Sequence, residues 1–365
     1  MIAKYHFYLL FSVLSVIIVG RLNAQATPIP PTVIVMYGMS NGVAEKYAKE
    51  YKTRLAENMT TEGLNLIEVD INHNINHLSP DLTIIMAAMS DNGKMTDKVI
   101  VVPTFSRNVL ASISPILFLE NPPFTYNAIE AADFTMAMYE YAIGGNCSDG
   151  DTYAAKTNFA EEEVSYLKGV CAIINNDLKT AEANFEASSS NPASYAYIAS
   201  RVNLAWAKYK LGKTEEAFGV FSDTLKHLDK PQSYFIPDIL ARRAQLYNLT
   251  FRYDDAITDL NTAIQLSPTD PPLYLLRGQT YLLLYEWDNV AADYNKALEL
   301  DPTYADAYFY RGVLYYSILQ TGQDMYTDAL ADFQRYLELA PDGEHAADAT
   351  HYATDIQIQM NALNN

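Results

Sequence analysis

The sequence predicts a two-part α+β chain: a small N-terminal α/β domain at 27–123, then an all-α solenoid of five helix-turn-helix repeats at 162–341 and a capping helix at 342–365. Three observations carry this. Before Pro123, β-branched runs alternate with a helical pattern. From Glu162 onward the pattern is helical throughout. That second half also repeats itself at an interval of 34 residues.

Residues 1–26 read as a signal peptide. Lys4 supplies a positive flank, Phe7–Val19 a mainly apolar run, and Ala24 and Ala26 small residues for cleavage. The run is short for a membrane span, although an uncleaved anchor stays open. The expected location is therefore exported: periplasmic, secreted or cell-surface. Lys and Arg number 25 against 44 Asp and Glu, a net charge of −19. That excess argues against holding nucleic acid or an anionic membrane by bulk electrostatics.

The strand-like stretches of the first domain are "TVIVMYG", "LNLIEVDI", "LTIIMAA", "KVIVVPTF" and "SPILFLE", with a helix opening at Ser40 after the first. Residues 124–161 follow as a connecting helix ended by Gly144–Gly145 and then a loop, "NCSDGDTYAAKTN". The two cysteines, Cys147 and Cys171, are compatible with one disulfide. Cys171 also falls where the repeat wants a small buried residue, so both readings stand.

In the second half, Arg243, Arg277 and Arg311 stand one period apart, as do Tyr247, Tyr281 and Tyr315. Pro268, Pro302 and Pro341 close the units, and five extra residues near "SILQTGQDMY" lengthen the last one between its helices. Small residues recur at Ala244, Gly278 and Gly312, and Ala256, Leu260 and Ala263 of one unit answer Tyr294 and Ala297 of the next. Two weaker units precede, with Ala205, Gly212, Ala217 and Phe221, and with Gly169, Ala181 and Phe185.

This set of residues resembles the tetratricopeptide repeat. The resemblance implies stacked antiparallel helix pairs, a curved solenoid, a concave groove, and a protein or peptide as partner. It puts Val202, Trp206 and Tyr209, Ala241, Gln245 and Asn248, Leu275, Gln279 and Leu282, and Phe309, Val313 and Tyr316 on the concave side. Each triplet has i, i+4, i+7 spacing and so shares one helical face. The chain's own N-terminal domain or C-terminal helix could fill that face instead. The basic set that clamps a C-terminal carboxylate in some family members is missing here, so a hydrophobic segment is the expected ligand.

The arginines could mark an anion site, but a charge inside a helix needs a partner. Asp259 and Asp293 follow Arg243 and Arg277 by 16 residues, and Asp332 follows Arg311 by 21, the insertion included. At the same places the weaker units carry Lys168 with Asn184 and Leu204 with Val220. Charged goes with charged and apolar with apolar, so the arginines and aspartates are expected to be structural ion pairs.

Signals for catalysis, cofactors or metal are poor, and none is expected. Gly38 and Gly42 form a strand-to-helix turn without a phosphate-binding fingerprint. His73 and His77 with Asp70, and Asp149 with Asp151, lack the remaining ligands of a metal site. Glycosylation triplets occur at Asn58, Asn146 and Asn248; a glycan on Asn248 would obstruct the groove. The expected function is an exported, non-enzymatic interaction scaffold, with self-association open. The runner-up is a small-ligand- or nucleotide-binding N-terminal domain, catalytic in one version, that the repeats dock.

Overall fold

The computed structural model describes strands at 32–38, 65–70, 82–91, 94–105 and 125–126, single helical positions between 53 and 141, and residues 145–363 apart from 158–159, 193, 195, 229–232, 234 and 319–323. The signal segment, the stretch from Ser40, Gly42, Asn58, His73, His77 and "SPILFLE" lie outside the described residues. The chain divides into two compact units, Met1–Asp177 and Leu178–Asn365, each taken by itself.

In the first unit, β1 (Thr32–Gly38), β2 (Asn65–Asp70), β3 (Leu82–Asp91), β4 (Lys94–Phe105) and β5 (Thr125–Tyr126) form one sheet of order β2-β1-β3-β4-β5. β1 runs parallel to β2 and β3, while β3, β4 and β5 are antiparallel neighbours. Two helices follow, α1 (Cys147–Ala154) and α2 (Glu161–Ile174). Helix α1 replaces much of the loop expected over "NCSDGDTYAAKTN". Its cause is local: Asn146 caps it by accepting from the Asp149 N–H, and Gly145 reverses the chain just before, at φ +68°. A disulfide joins Cys147 to Cys171 and so ties α1 to α2. Asp149 and Asp151 therefore sit on a helix, and Asp151 receives the Tyr141 hydroxyl and the Lys168 ammonium.

The second unit is all-helical. It contains α3 (Leu178–Ser188), α4 (Tyr197–Lys210), α5 (Thr214–His227), α6 (Ile236–Leu249), α7 (Tyr253–Leu266), α8 (Pro271–Leu283), α9 (Trp287–Leu300), α10 (Ala305–Ile318), α11 (Asp324–Leu339) and α12 (Ala346–Leu363). The pairs α4/α5, α6/α7, α8/α9 and α10/α11 are the repeats, and each also packs on the next, in a solenoid-like arrangement. Small residues let the helices close up. A Cβ on Gly278 would stand 2.5 Å from the ring of Tyr294, and one on Gly312 would stand 3.0 Å from Phe333. Ala256, Ala263, Ala297, Leu260, Tyr294 and Phe333 are fully or almost fully buried.

The turns inside the pairs α4/α5, α6/α7 and α8/α9 are tight, and in each the second residue past the first helix adopts a left-handed conformation. Gly212, Phe251 and Tyr285 occupy it in successive repeats, and Asn176 does so in the first unit. The following N–H then closes onto a carbonyl five residues back, as in Arg252 to Tyr247 and Glu286 to Tyr281. Helix α12 ends the stack by burying Ala349 and Ile356 against the last pair. Among the described residues, no helix is long and apolar enough to cross a membrane.

Candidate functional site

The arginine ladder is an internal clamp. Arg243 donates through Nε and Nη2 to both carboxylate oxygens of Asp259, each at 2.7 Å. Arg277 does the same to Asp293 at 2.8 and 2.7 Å, and Arg311 to Asp332 at 2.8 and 2.7 Å. The fork-to-fork geometry suits guanidinium and carboxylate alone. The third guanidinium nitrogen reaches back to the second helix of the preceding repeat: Ser222 at 3.1 Å, Asn261 at 2.7 Å and Asn295 at 2.7 Å. Each arginine thus ties three helices.

Tyrosines flank the arginines. Tyr274 and Tyr281 lie 5.7 and 5.9 Å from Arg277, and Tyr308 and Tyr315 lie 5.6 and 5.9 Å from Arg311. Hydrogen bonding to the aspartates holds Arg277 and Arg311 firmly protonated. Burial pushes the Asp332 carboxyl up in spite of Arg311. With all three nitrogens of each guanidinium engaged inside the fold, the ladder offers little to an external anion. Repeat α4/α5, where Leu204 and Val220 are both buried, ties its helices through Arg201 instead, which reaches Thr224 at 2.9 Å and Asp223 at 2.6 Å.

Lys208 takes the place that tyrosine fills in the later repeats. It is buried among Glu182, Glu186 and Glu216 at 2.8, 3.0 and 3.1 Å. Burial pushes the Glu182 carboxyl up, but hydrogen bonds from Lys208 and Lys213 outweigh it and leave the group below its ordinary 4.5. A depressed carboxylate stabilises the fold above its unfolded pKa, and that contribution is lost as pH falls through the folded value. Glu182→Gln is therefore expected to cost about 1 kcal/mol at neutral pH, since Lys208 keeps two other carboxylates. Urea unfolding should also show a shallower loss of stability below pH 4.5 than in the wild type. An unchanged acid limb would refute the assignment.

The concave-side residues divide into two sets. Val202, Leu275, Phe309 and Val313 are buried to within 5% of full exclusion, so they pack between repeats and present almost no surface. Phe309 stacks face to face on His345, just before α12, with ring centroids 4.1 Å apart. The Tyr316 hydroxyl donates to Asp355 of α12 at 2.6 Å. The last triplet, Phe309, Val313 and Tyr316, is thus corrected from groove to cap contact: α12 needs an apolar seat and takes this one. Trp206, Tyr209, Gln245, Asn248, Gln279 and Leu282 remain partly open.

Asn248 donates through Nδ2 to Thr280 at 2.8 Å, which engages the atom that a glycan would need. Its Oδ1 and the Trp206 indole N–H are both shielded and have no hydrogen-bond partner among the described residues. On the same helix, Arg242 was missed by the triplet reading because it stands one place past Ala241. Its Nη1 donates to Gln245 at 3.3 Å. Burial lowers the Arg242 guanidinium, with Asp238 opposing, and raises Asp238 and Asp270. Yet Arg242 and Asp270 stay partly accessible, and Asp238 is exposed. The sequence signal was available: Asp238 and Arg242 are i, i+4, beside Gln245. Among the described residues, no cluster of His, Cys, Asp or Glu could hold a metal ion.

A stack of antiparallel helix pairs, locked by a repeated arginine clamp, defines an α-helical repeat protein. Residues 252–284 and 286–318 match the family model described as TPR repeat, so this part of the helical unit carries tetratricopeptide repeats. Similar solved structures include a tetratricopeptide repeat protein from Parabacteroides merdae, 21% identical over 55% of this chain and 74% of that one, with a TM-score of 0.41. A thermophilic TPR protein from Thermus thermophilus is 22% identical over 54% of this chain and 99% of its own, with a TM-score of 0.38. The first TPR of Spaghetti, solved bound to an HSP90 peptide, is 25% identical over 34% of this chain and 96% of its own, with a TM-score of 0.31. A comparison with curated proteins found no match.

Proposed function

We propose that the chain is an exported, non-enzymatic protein-interaction scaffold. It takes a partner's peptide segment along the first-helix face of the middle repeats, with an α/β domain at its N-terminal side. One observation carries the binding reading: on that face Asp238, Arg242 and Asp270 stay partly or fully accessible beside the partly open Trp206, Gln245 and Gln279, which leaves charged, amide and aromatic groups side by side. A peptide backbone brings carbonyl and N–H groups that such side chains can pair, and apolar side chains for Trp206 and Leu282. The segment is therefore apolar with polar ends, a refinement that Arg242 adds to the purely hydrophobic expectation. The leader-like run at Phe7–Val19 and the Cys147–Cys171 disulfide support export into an oxidising compartment.

The test is peptide display selected on the full chain, followed by titration of an enriched peptide. Trp206→Ala is expected to weaken binding about tenfold, the loss of one buried aromatic anchor. Its melting temperature should shift little in comparison. Wild-type affinity in both Trp206→Ala and Arg242→Gln would rule the face out.

A further inference from the structure

The turn between the helices of a pair carries a second surface. Phe251 and Tyr285 hold the same position in successive repeats, with φ of +62° and +61°. A left-handed backbone is costly for a bulky L-residue, and the preceding repeat avoids that cost with Gly212. Packing does not compensate, because Phe251 is 78% exposed and Tyr285 57%. Each ring meets a second aromatic at the start of the next helix: Phe251 with Tyr253 at 6.2 Å, and Tyr285 with Trp287 at 5.8 Å, both edge to face. Tyr253 and Trp287 both open the second helix of their pair, so the two aromatic pairs recur at equivalent places of adjacent repeats. In repeat α4/α5 the matching positions are Gly212 and Thr214, so the repeat architecture does not require aromatics there.

The rim is acidic. Asp254 and Asp288 stand at equivalent exposed places next to Tyr253 and Trp287, and neither has an ion pair among the described residues. Their position in the first helical turn also favours the helices themselves. The nearby base, Arg252, is already committed: it pairs with Asp255 at 2.7 Å and lies over the rings of Phe218 and Tyr247 at 4.9 and 4.6 Å. The whole chain has a net charge of −19. Exposed ring faces beside unpaired carboxylates attract guanidinium and ammonium groups and repel a second acidic copy.

We propose that the strip Phe251, Tyr253, Tyr285 and Trp287, with Asp254 and Asp288, docks an arginine- or lysine-bearing segment of another protein. Its cations stack on the rings and pair with the two carboxylates. This surface does not depend on the first-helix face, and strain kept without internal packing is the mark of a residue held for function.

The test titrates the full chain with a labelled synthetic peptide alternating Arg and Ser, and with counterparts carrying Leu or Glu in place of Arg. The Arg peptide is expected to bind, and to bind more weakly as salt rises. Phe251→Gly/Tyr285→Gly and Asp254→Asn/Asp288→Asn should each weaken it about tenfold, the loss of two ring or two charge contacts. The glycine pair should melt at the same temperature or higher, because glycine relieves the turns. The proposal is overturned if the glycine pair binds the Arg peptide as tightly as wild type, or if the Leu peptide binds equally well. It also fails if sedimentation shows a wild-type dimer that the glycine pair dissolves, since a second copy would then be the occupant.

Discussion

Asp293→Ala is expected to lower the stability of the helical unit by about 3–5 kcal/mol, because it leaves a largely buried guanidinium without its carboxylate. Arg277 would retain Asn261 at 2.7 Å and the two tyrosine faces, but none of these carries charge. The same helix pair has another solution inside this chain. At the equivalent places repeat α4/α5 carries Leu204 and Val220, both buried. The double variant Arg277→Leu/Asp293→Val transplants that solution and should recover most of the loss, since apolar replacement of a buried ion pair is often near neutral. Urea unfolding of Arg277→Leu, Asp293→Val and the double variant measures the coupling. A double variant no more stable than Asp293→Ala would contradict the clamp as described.

Gly278→Ala is expected to destabilise the unit by up to about 2 kcal/mol net. The new methyl would stand 2.5 and 2.7 Å from ring atoms of Tyr294, and Tyr294 is fully buried with no room to yield. Overpacking of this kind costs roughly 1–3 kcal/mol, against about 1 kcal/mol gained by alanine's helix propensity. At Gly312 the nearest contact is 3.0 Å, so Gly312→Ala should cost less. Again the chain supplies the control: repeat α6/α7 pairs Ala244 with Leu260 in a shared core cluster. Gly278→Ala/Tyr294→Leu should therefore outperform Gly278→Ala. Tyr294→Phe alone should gain about 1 kcal/mol, because the Tyr294 hydroxyl is buried with no hydrogen-bond partner. Thermal unfolding of the four variants checks the order; a Gly278→Ala variant more stable than wild type would sink it.

The repeats were legible because a helix pair imposes fixed intervals. Arg277 and Asp293 are 16 apart and Arg311 and Asp332 are 21 apart, and both intervals bring a first-helix residue opposite a second-helix one. The third guanidinium contact was overlooked, although Asn261 and Asn295 stand 16 residues before Arg277 and Arg311. It crosses between repeats, and spacing within one repeat does not reveal it. Helix α1 was read as loop because serine, glycine and aspartate make up its "SDGD" start, and its N-cap and the adjoining disulfide override that composition. Cys147 and Cys171 were compatible with either state on sequence, since pairing depends on a distance that a sequence separation of 24 does not set.

By itself the sequence determined the period, the helix pairs and the complementary residues inside each pair. These depend on local periodicity and on neighbours a fixed interval away. Only the tertiary structure decided which first-helix residues stay open. Phe309 and Trp206 share one kind of face, yet His345 covers Phe309 while Trp206 remains partly accessible. Burial is set by whatever packs on top, and that neighbour is chosen by the whole stack rather than by the helix that carries the residue.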